Sequence, residues 1–395
     1  MLINLVVIAV TALAAIILLS GRFRRSQVWR AMTTPLASII GSGFLVLGPI
    51  LTAQFGAYAP LVMALLCIGA YLFGAAIRFN MVQLARGVLW PHRLEALSSW
   101  ALAFAYAISV AYYLNLFGAF GVSLTSFDST TSAKLLTTLV YLVILGVGCT
   151  GGFKMLEGME YFSVTVKLAI IGGLLAALAL FFGDKVAEGA LVVLRPEISG
   201  WAAVALLFGL IVTVQGFETS RYLGDSYDTA TRLTSMRLAQ WVSSAIYMIY
   251  ILLLAYVFPR DALQFSETAI IDMMAVVAPV LPIMLVGAAL AAQFSAAVAD
   301  TGGSGGLMVE LSGGRLSVRM GYVLLSIVGL MLTWGADVFQ IISYASRAFA
   351  IYYALQSAIA AVVASEQGLH KRSLGFGLLA ALGAAIAVFG SVVEG

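Results

Sequence analysis

Four ionisable residues of this 395-residue chain fall inside long apolar runs: Lys167, Glu218, Asp300 and Arg347. A charge within a membrane-spanning segment is costly and by default marks a function. A desolvated lysine can give up and regain a proton, so Lys167 is a candidate proton carrier; the alternative is a lysine snorkelling to the nearer surface. Glu218 lies in VTVQGFETSRYLG (212–224), where a carboxylate can serve a solute or an ion. The bland reading of Glu218 is a surface ion pair with Arg221. Arg347 stands about ten residues into its run, or about 15 Å at 1.5 Å per residue, half of a ~30 Å hydrocarbon layer. A guanidinium at that depth needs a partner. Glu218 and Asp300 are the acidic residues at hand, so either a buried pair with one of them or contact with an anionic solute group accounts for Arg347.

These side chains need elements that hold them at depth. One is SIIGSGFLVLGPI (38–50), with three glycines, two serines and a proline inside an apolar segment. Glycine and proline weaken helices most. Backbone at membrane depth leaves the helix only where protein or a water-filled cavity takes up its hydrogen bonds. Transporters use such breaks to bind solutes and ions near the midplane. Close helix packing through small residues is the other explanation. The QGFET run gives a second interruption.

Composition sets the environment. Hydrophobic residues make up 62% of the chain and charged residues 10%, against roughly 25% charged in soluble domains. Apolar runs of about 20 residues recur throughout, as membrane helices require. We read one all-helical integral membrane domain, 1–395, with about twelve spans: 2–19, 35–54, 58–79, 97–124, 135–149, 161–182, 201–223, 238–258, 282–301, 318–334, 338–364 and 374–392. The first resembles a signal peptide in length, but its arginines follow it, so it is expected to be retained. SETAIIDMMAVVA (266–278) is expected to form a short helix across the outer face. Fifteen of the 21 Lys and Arg residues fall in loops or at the span ends on one side, and four (Lys134, Lys185, Arg195, Arg260) on the other. The remaining two are Lys167 and Arg347. The positive-inside rule then puts the N-terminus outside a cell membrane.

The two interruptions are five spans apart. Five is odd, so a second unit opened by that interruption runs the opposite way through the membrane; the spacing gives this count, and a 5+5 inverted repeat, 35–182 and 201–364 with one extra helix at each end, is the expected arrangement.

IIGSGFLVLGPI resembles the first core helix of the amino acid–polyamine–organocation (APC) superfamily, GFET the G-F-[ED] of its sixth, and RLTSMRLAQ (232–240) the basic lead into its seventh. The resemblance covers both halves of the chain. It implies a leucine-transporter-type fold, discontinuous first and sixth core helices, and alternating-access transport of a small solute such as an amino acid. It also implies a solute site at Gly41, Ser42 and Gly43 with Gly216, Phe217 and Glu218. Lys167, in the fifth core helix, matches a lysine whose ammonium fills the sodium site in proton-coupled members.

Some features depart from that pattern. A helix before the core, and ALAAQFSAAVADTGGSGG (289–306), resemble the sodium:solute symporters. Ser295 matches the first of two adjacent sodium-binding hydroxyls there, while Ala296 stands in place of the second. Asp300 and Thr301 are further oxygen donors of the hard kind that sodium favours. Ion coupling is thus assigned to Lys167, Ser295 and Asp300, with proton and sodium both open. Tyr106, Tyr112, Tyr113 and Asn115 are candidate cavity residues. TGGSGG (301–306) lacks the Gly-Lys-Ser/Thr of a phosphate loop and is expected to end its helix as a hinge.

Other functions find less support. Cys67 and Cys149 lie in apolar runs, and His92 and His370 lack partners at metal-ligand spacing. No cofactor, metal, nucleic-acid partner or enzymatic activity is expected; the expected partners are a solute, a proton or sodium ion, and the bilayer. A channel lacks a filter motif, and a sensor lacks an output domain.

Overall fold

The computed structural model describes residues 2–41, 43–88, 90–150, 160–224, 226–263 and 266–392. Among these there is no strand. Ten stretches are long and apolar enough to cross a membrane.

Each expected span coincides with one helix or one broken helix. The order is α1 (Leu2–Leu19), α2 (Gly21–Arg25), α3 (Gln27–Ile39), α4 (Gly43–Phe55), α5 (Ala59–Ala85), α6 (His92–Val122), α7 (Thr130–Thr150) and α8 (Glu160–Ala187). Then follow α9 (Gly200–Gly209), α10 (Thr229–Leu254), α11 (Ala269–Val277), α12 (Leu281–Leu311), α13 (Val318–Gly335), α14 (Val338–Glu366) and α15 (His370–Phe389). The second span is the pair α3 and α4. The seventh is α9 followed by 3-10 turns at Ile211–Val214 and Phe217–Tyr222. Both breaks fall where the glycines announced them.

At the centre, α6 packs against α12 and α14, and α10 packs against α3 and α5. Of these, α5, α10 and α14 contact the two broken helices, α3 being half of the first. The first helix, α1, lies along α8, where Val7 is buried and the Tyr161 hydroxyl donates to the Leu18 carbonyl at 3.0 Å. The expected short helix is present as α11, packed on α12 and α4.

Several boundaries extend beyond the expected spans, and two of the largest differences have a local cause. α10 begins nine residues earlier than hydropathy suggests, because the polar RLTSMR segment is helical. Asp228 caps it by accepting the Thr231 backbone N–H at 2.7 Å, one of the donors a helix start leaves free. That bond, with one to the Thr231 hydroxyl, holds the Asp228 carboxyl below its ordinary range. The cap therefore contributes at neutral pH and is lost as acid protonates it. α12 continues through TGGSGG to Leu311, so this segment is not the expected hinge. Its glycines let neighbouring helices approach. A Cβ on Gly305 would lie 2.6 Å from the Tyr322 ring.

Candidate functional site

The last four carbonyls of a helix have no partner within it. At the end of α3, protein side chains take them up. The Lys167 ammonium, on α8, donates to the Ala37 carbonyl at 2.8 Å. The Tyr247 hydroxyl, on α10, lies 2.9 Å from the Ile39 carbonyl oxygen and 2.6 Å from that of Thr213, its single proton shared between the two breaks. Lys167 and Tyr247 are both buried.

The second break is finished in the same way. Ser346, on α14, donates to the Gly209 carbonyl at 2.6 Å and accepts the Val212 N–H at 3.1 Å. Gly216 turns the chain at φ 115°, a region that side chains rarely adopt. Its N–H donates to Glu218 Oε2 at 3.0 Å, and the Tyr353 hydroxyl donates to the same oxygen at 2.9 Å. Glu218 is fully buried and does not pair with Arg221. Arg221 instead pairs with Glu95 at 2.7 Å and donates to Gln356.

The two breaks cross in backbone contact. A Cβ on Gly43 would lie 2.9 Å from Thr213 Cα, and one on Gly216 would lie 2.4 Å from Ser38 Cβ. A Cβ on Gly41 would meet the Tyr113 ring at 3.6 Å. Phe217 is fully buried and stacks on Tyr353, with ring centroids 5.2 Å apart. Ser42 lies outside the described residues. Around this crossing, Ser38 Oγ, Gln215 Oε1 and Glu218 Oε1 are buried with no hydrogen-bond partner among the described residues. Buried polar atoms are rarely left so, and such a set asks for an explanation.

Beside the crossing lies a cavity of 610 Å³. Thr34, Tyr106, Thr219, Ser295 and Asp300 line its inner part; exposed Tyr222, Ser226 and Glu310 line its mouth. Ser295 Oγ has no partner among the described residues. Asp300 is buried and accepts a hydrogen bond from Ser109. Among the described residues, the lining carries two carboxyl groups, Asp300 and Glu310, and no lysine or arginine. It opens at the end of the bundle where α3 begins and α12 ends. A separate cavity of 340 Å³, lined by Asn115, Lys134, Glu267 and Asp337, lies at the other end. About 13 Å of α6, at 1.5 Å per residue, separates Tyr106 in one from Asn115 in the other. Between them, Gln215 Nε2 donates to the Tyr113 hydroxyl at 3.1 Å.

The expected site residues thus divide. Gly41, Gly43, Gly216, Phe217 and Glu218 form the closed crossing. Ser295 and Asp300 belong to the open cavity, and Lys167 ties α3 to α8. Tyr106 lines the cavity; Asn115 does not. Arg347 is a correction. It pairs with neither Glu218 nor Asp300, and donates to the Val388 carbonyl on α15 at 2.8 Å. Successive helical residues are rotated by about 100°. Ser346 faces the break, so its neighbour Arg347 faces away from it, toward α15.

Several site residues escaped the sequence reading: Ser109, Tyr247, Ser346 and Tyr353. A signal existed for some of them. Tyr106, Ser109 and Tyr113 share one face of α6, and Ser346, Phe349 and Tyr353 one face of α14, at spacings of three, four and seven.

Known proteins bear on this arrangement of two interrupted helices crossing beside an open acidic cavity. Residues 21–390 match a family model described as APC superfamily transporter. A protein of Aquifex aeolicus (strain VF5), described as uncharacterized, is 42% identical over 387 residues, covering 95% of this chain and 94% of the relative. The family match points to a transporter rather than an enzyme, and with the broken helices and apolar spans it leads to one assignment: the chain belongs to the APC superfamily transporter family.

Proposed function

We propose that the protein is a secondary active transporter that moves a small amine-bearing solute, an amino acid or a related metabolite, by alternating access. The observation that carries this reading is the 610 Å³ cavity, which reaches Asp300 from one end of the bundle and, among the described residues, holds carboxyl groups without basic side chains. Its lining favours a cationic group. The solute's ammonium would approach Asp300, while its remaining polar atoms would approach Ser295 and Thr219. With the N-terminus outside a cell membrane, the basic-residue count makes this mouth cytoplasmic, and the conformation inward-facing.

Proton coupling is the preferred driving mode, and it rests on the Lys167–Ala37 hydrogen bond. As an ammonium, Lys167 holds the end of α3 to α8. On losing its proton it becomes a weaker donor, since charge-assisted hydrogen bonds are about twice as strong as neutral ones. The end of α3 then gains freedom to move against α8. In this reading the proton and the rocking of the broken helix are one event. Sodium symport is the second reading, favoured by the Ser295 hydroxyl, which lines the same cavity as Asp300 and has no hydrogen-bond partner among the described residues.

A thermal-shift screen of the purified protein against amino acids, polyamines and organic acids, with and without sodium, tests the solute class. A ligand at 100 times its Kd stabilises by about 2.7 kcal/mol. Amines should raise the Tm in the wild type and not in Asp300→Asn. Stabilisation by organic acids alone, or amine shifts undiminished in Asp300→Asn, would contradict the reading. A Tm rise that strictly requires sodium would move the assignment to sodium symport.

A further inference from the structure

We propose that the ends of α5, α10 and α15 on the cavity-mouth side form a groove that binds the headgroup of an anionic phospholipid. The groove has a volume of 750 Å³ and four arginines in its lining: Arg78, Arg86, Arg237 and Arg372. Among the described residues, none that is acidic lines it.

The four arginines differ in their freedom. Arg78 is fixed: it donates to Gln240 and to the Tyr71 carbonyl, and lies 4.7 Å from the centre of the Tyr71 ring. Arg86, Arg237 and Arg372 are exposed, and their side chains make no hydrogen bond or ion pair among the described residues. Like charges gathered around one groove repel unless an anion lies between them. A guanidinium offers a planar fork of N–H donors that matches phosphate oxygens. Two helix starts add to this field: Ala230 belongs to the first turn of α10 and Arg372 to that of α15. Helix N-termini favour anions. Asp228, the cap of α10, is engaged with Thr231 and is not part of the lining.

A lipid suits the groove better than a free anion because the surfaces leading away from it are apolar and exposed. Trp241 on α10, one turn from Arg237, and Ile68 and Leu72 on α5, seven residues from Ala75 and Phe79, all face outward. Phe79 and Phe376 meet at 5.1 Å between α5 and α15. From Arg78 to Arg86 the groove runs about 12 Å along α5, at 1.5 Å per residue. Phosphate held by the arginines would leave acyl chains lying over these side chains. Basic clusters at a membrane surface are the ordinary recognition elements for acidic lipids.

The test uses the purified full chain in detergent, with dioctanoyl phosphatidylglycerol, dioctanoyl phosphatidylcholine or glycerol 3-phosphate added. Phosphatidylglycerol should raise the Tm by several degrees and the other two should not. R86A/R237A/R372A should lose that shift while keeping its basal Tm; Arg78 is retained because it holds Gln240 in place. R315A/R319A, at another exposed basic stretch, should keep the shift. An equal response to phosphatidylcholine, a shift retained in the triple variant, or its equal loss in R315A/R319A would overturn the proposal. The same shift with glycerol 3-phosphate would overturn the lipid assignment in favour of a free anion. Native mass spectrometry of the wild type reads the preference without any variant: phosphatidylglycerol adducts should survive collision energies that strip phosphatidylcholine, and equal loss of both would contradict the groove.

Discussion

Gly216 shows how one residue sets the site. Its φ of 115° lets the chain turn so that its N–H meets the Glu218 carboxylate, and its missing side chain lets Ser38 approach. Alanine there is wrong twice: the left-handed backbone costs about 1–2 kcal/mol, and overpacking against Ser38 and Ile39 about 1–3 kcal/mol. Gly216→Ala should therefore lower stability by about 2–5 kcal/mol, read as a large fall in Tm in detergent. A Tm within 1–2 °C of wild type would mean that the breaks do not cross as described. Gly43, against Thr213, bears the same kind of constraint, so its substitution should act on packing as well as on any solute. At this scale the sequence was only partly legible. Glycines inside apolar runs and buried charges stood out because each is expensive where it lies. Ser109, Tyr247, Ser346 and Tyr353 did not, because a serine or tyrosine in a membrane helix is common. Their partners come from elements 34 to 208 residues away.

Elements were more legible than side-chain directions. A break needs helix-weakening residues, and those are visible; twelve apolar runs became twelve helices or broken helices. Rotation about the helix axis is harder to see without knowing the neighbours. Arg347 was expected beside Glu218 or Asp300, or against an anionic solute group, on depth alone, yet it faces α15 because Ser346 occupies the direction of the break. TGGSGG was expected to end its helix from glycine content, yet packing against Tyr106 and Tyr322 keeps it helical. The corrected place of Arg347 has a consequence for stability. Arg347→Ala removes one charge-assisted hydrogen bond to the Val388 carbonyl and strands no carboxylate. It should cost about 1–2 kcal/mol and leave transport in place. A loss of 3 kcal/mol or more, with transport abolished, would restore the buried pair.

Across the whole molecule, the cavity opens at one end and the crossing is closed beside it. Polar groups near the mouth hold the second break in this arrangement. Arg221, in its last 3-10 turn, pairs with Glu95 on α6 and donates to Gln356 on α14, which in turn donates to Ser98 at 2.9 Å. Gln356 also accepts from Asn80 on α5. Arg221→Ala leaves the partly exposed Glu95 carboxylate without its charge partner and removes one of the bonds to the buried Gln356 amide, and should cost about 2–3 kcal/mol, less than for a fully buried pair. Because the two charges share one network, Glu95→Gln/Arg221→Ala should cost less than the sum of the single changes. Strict additivity of the Tm shifts would argue that the pair does not couple.

The proposed role of the Lys167 proton in driving the transport cycle is tested most directly by uptake of a radiolabelled amino-acid mixture into proteoliposomes. Proton and sodium gradients are imposed separately. The wild type should accumulate label with an inward proton gradient and no sodium. Lys167→Ala should lose that accumulation, while solutes that raise the wild-type Tm should still raise its own. Lys167→Arg should be equally inactive, because arginine keeps its proton in proteins. Accumulation that requires sodium and ignores the proton gradient, or proton-driven accumulation that survives in Lys167→Ala, would contradict the account.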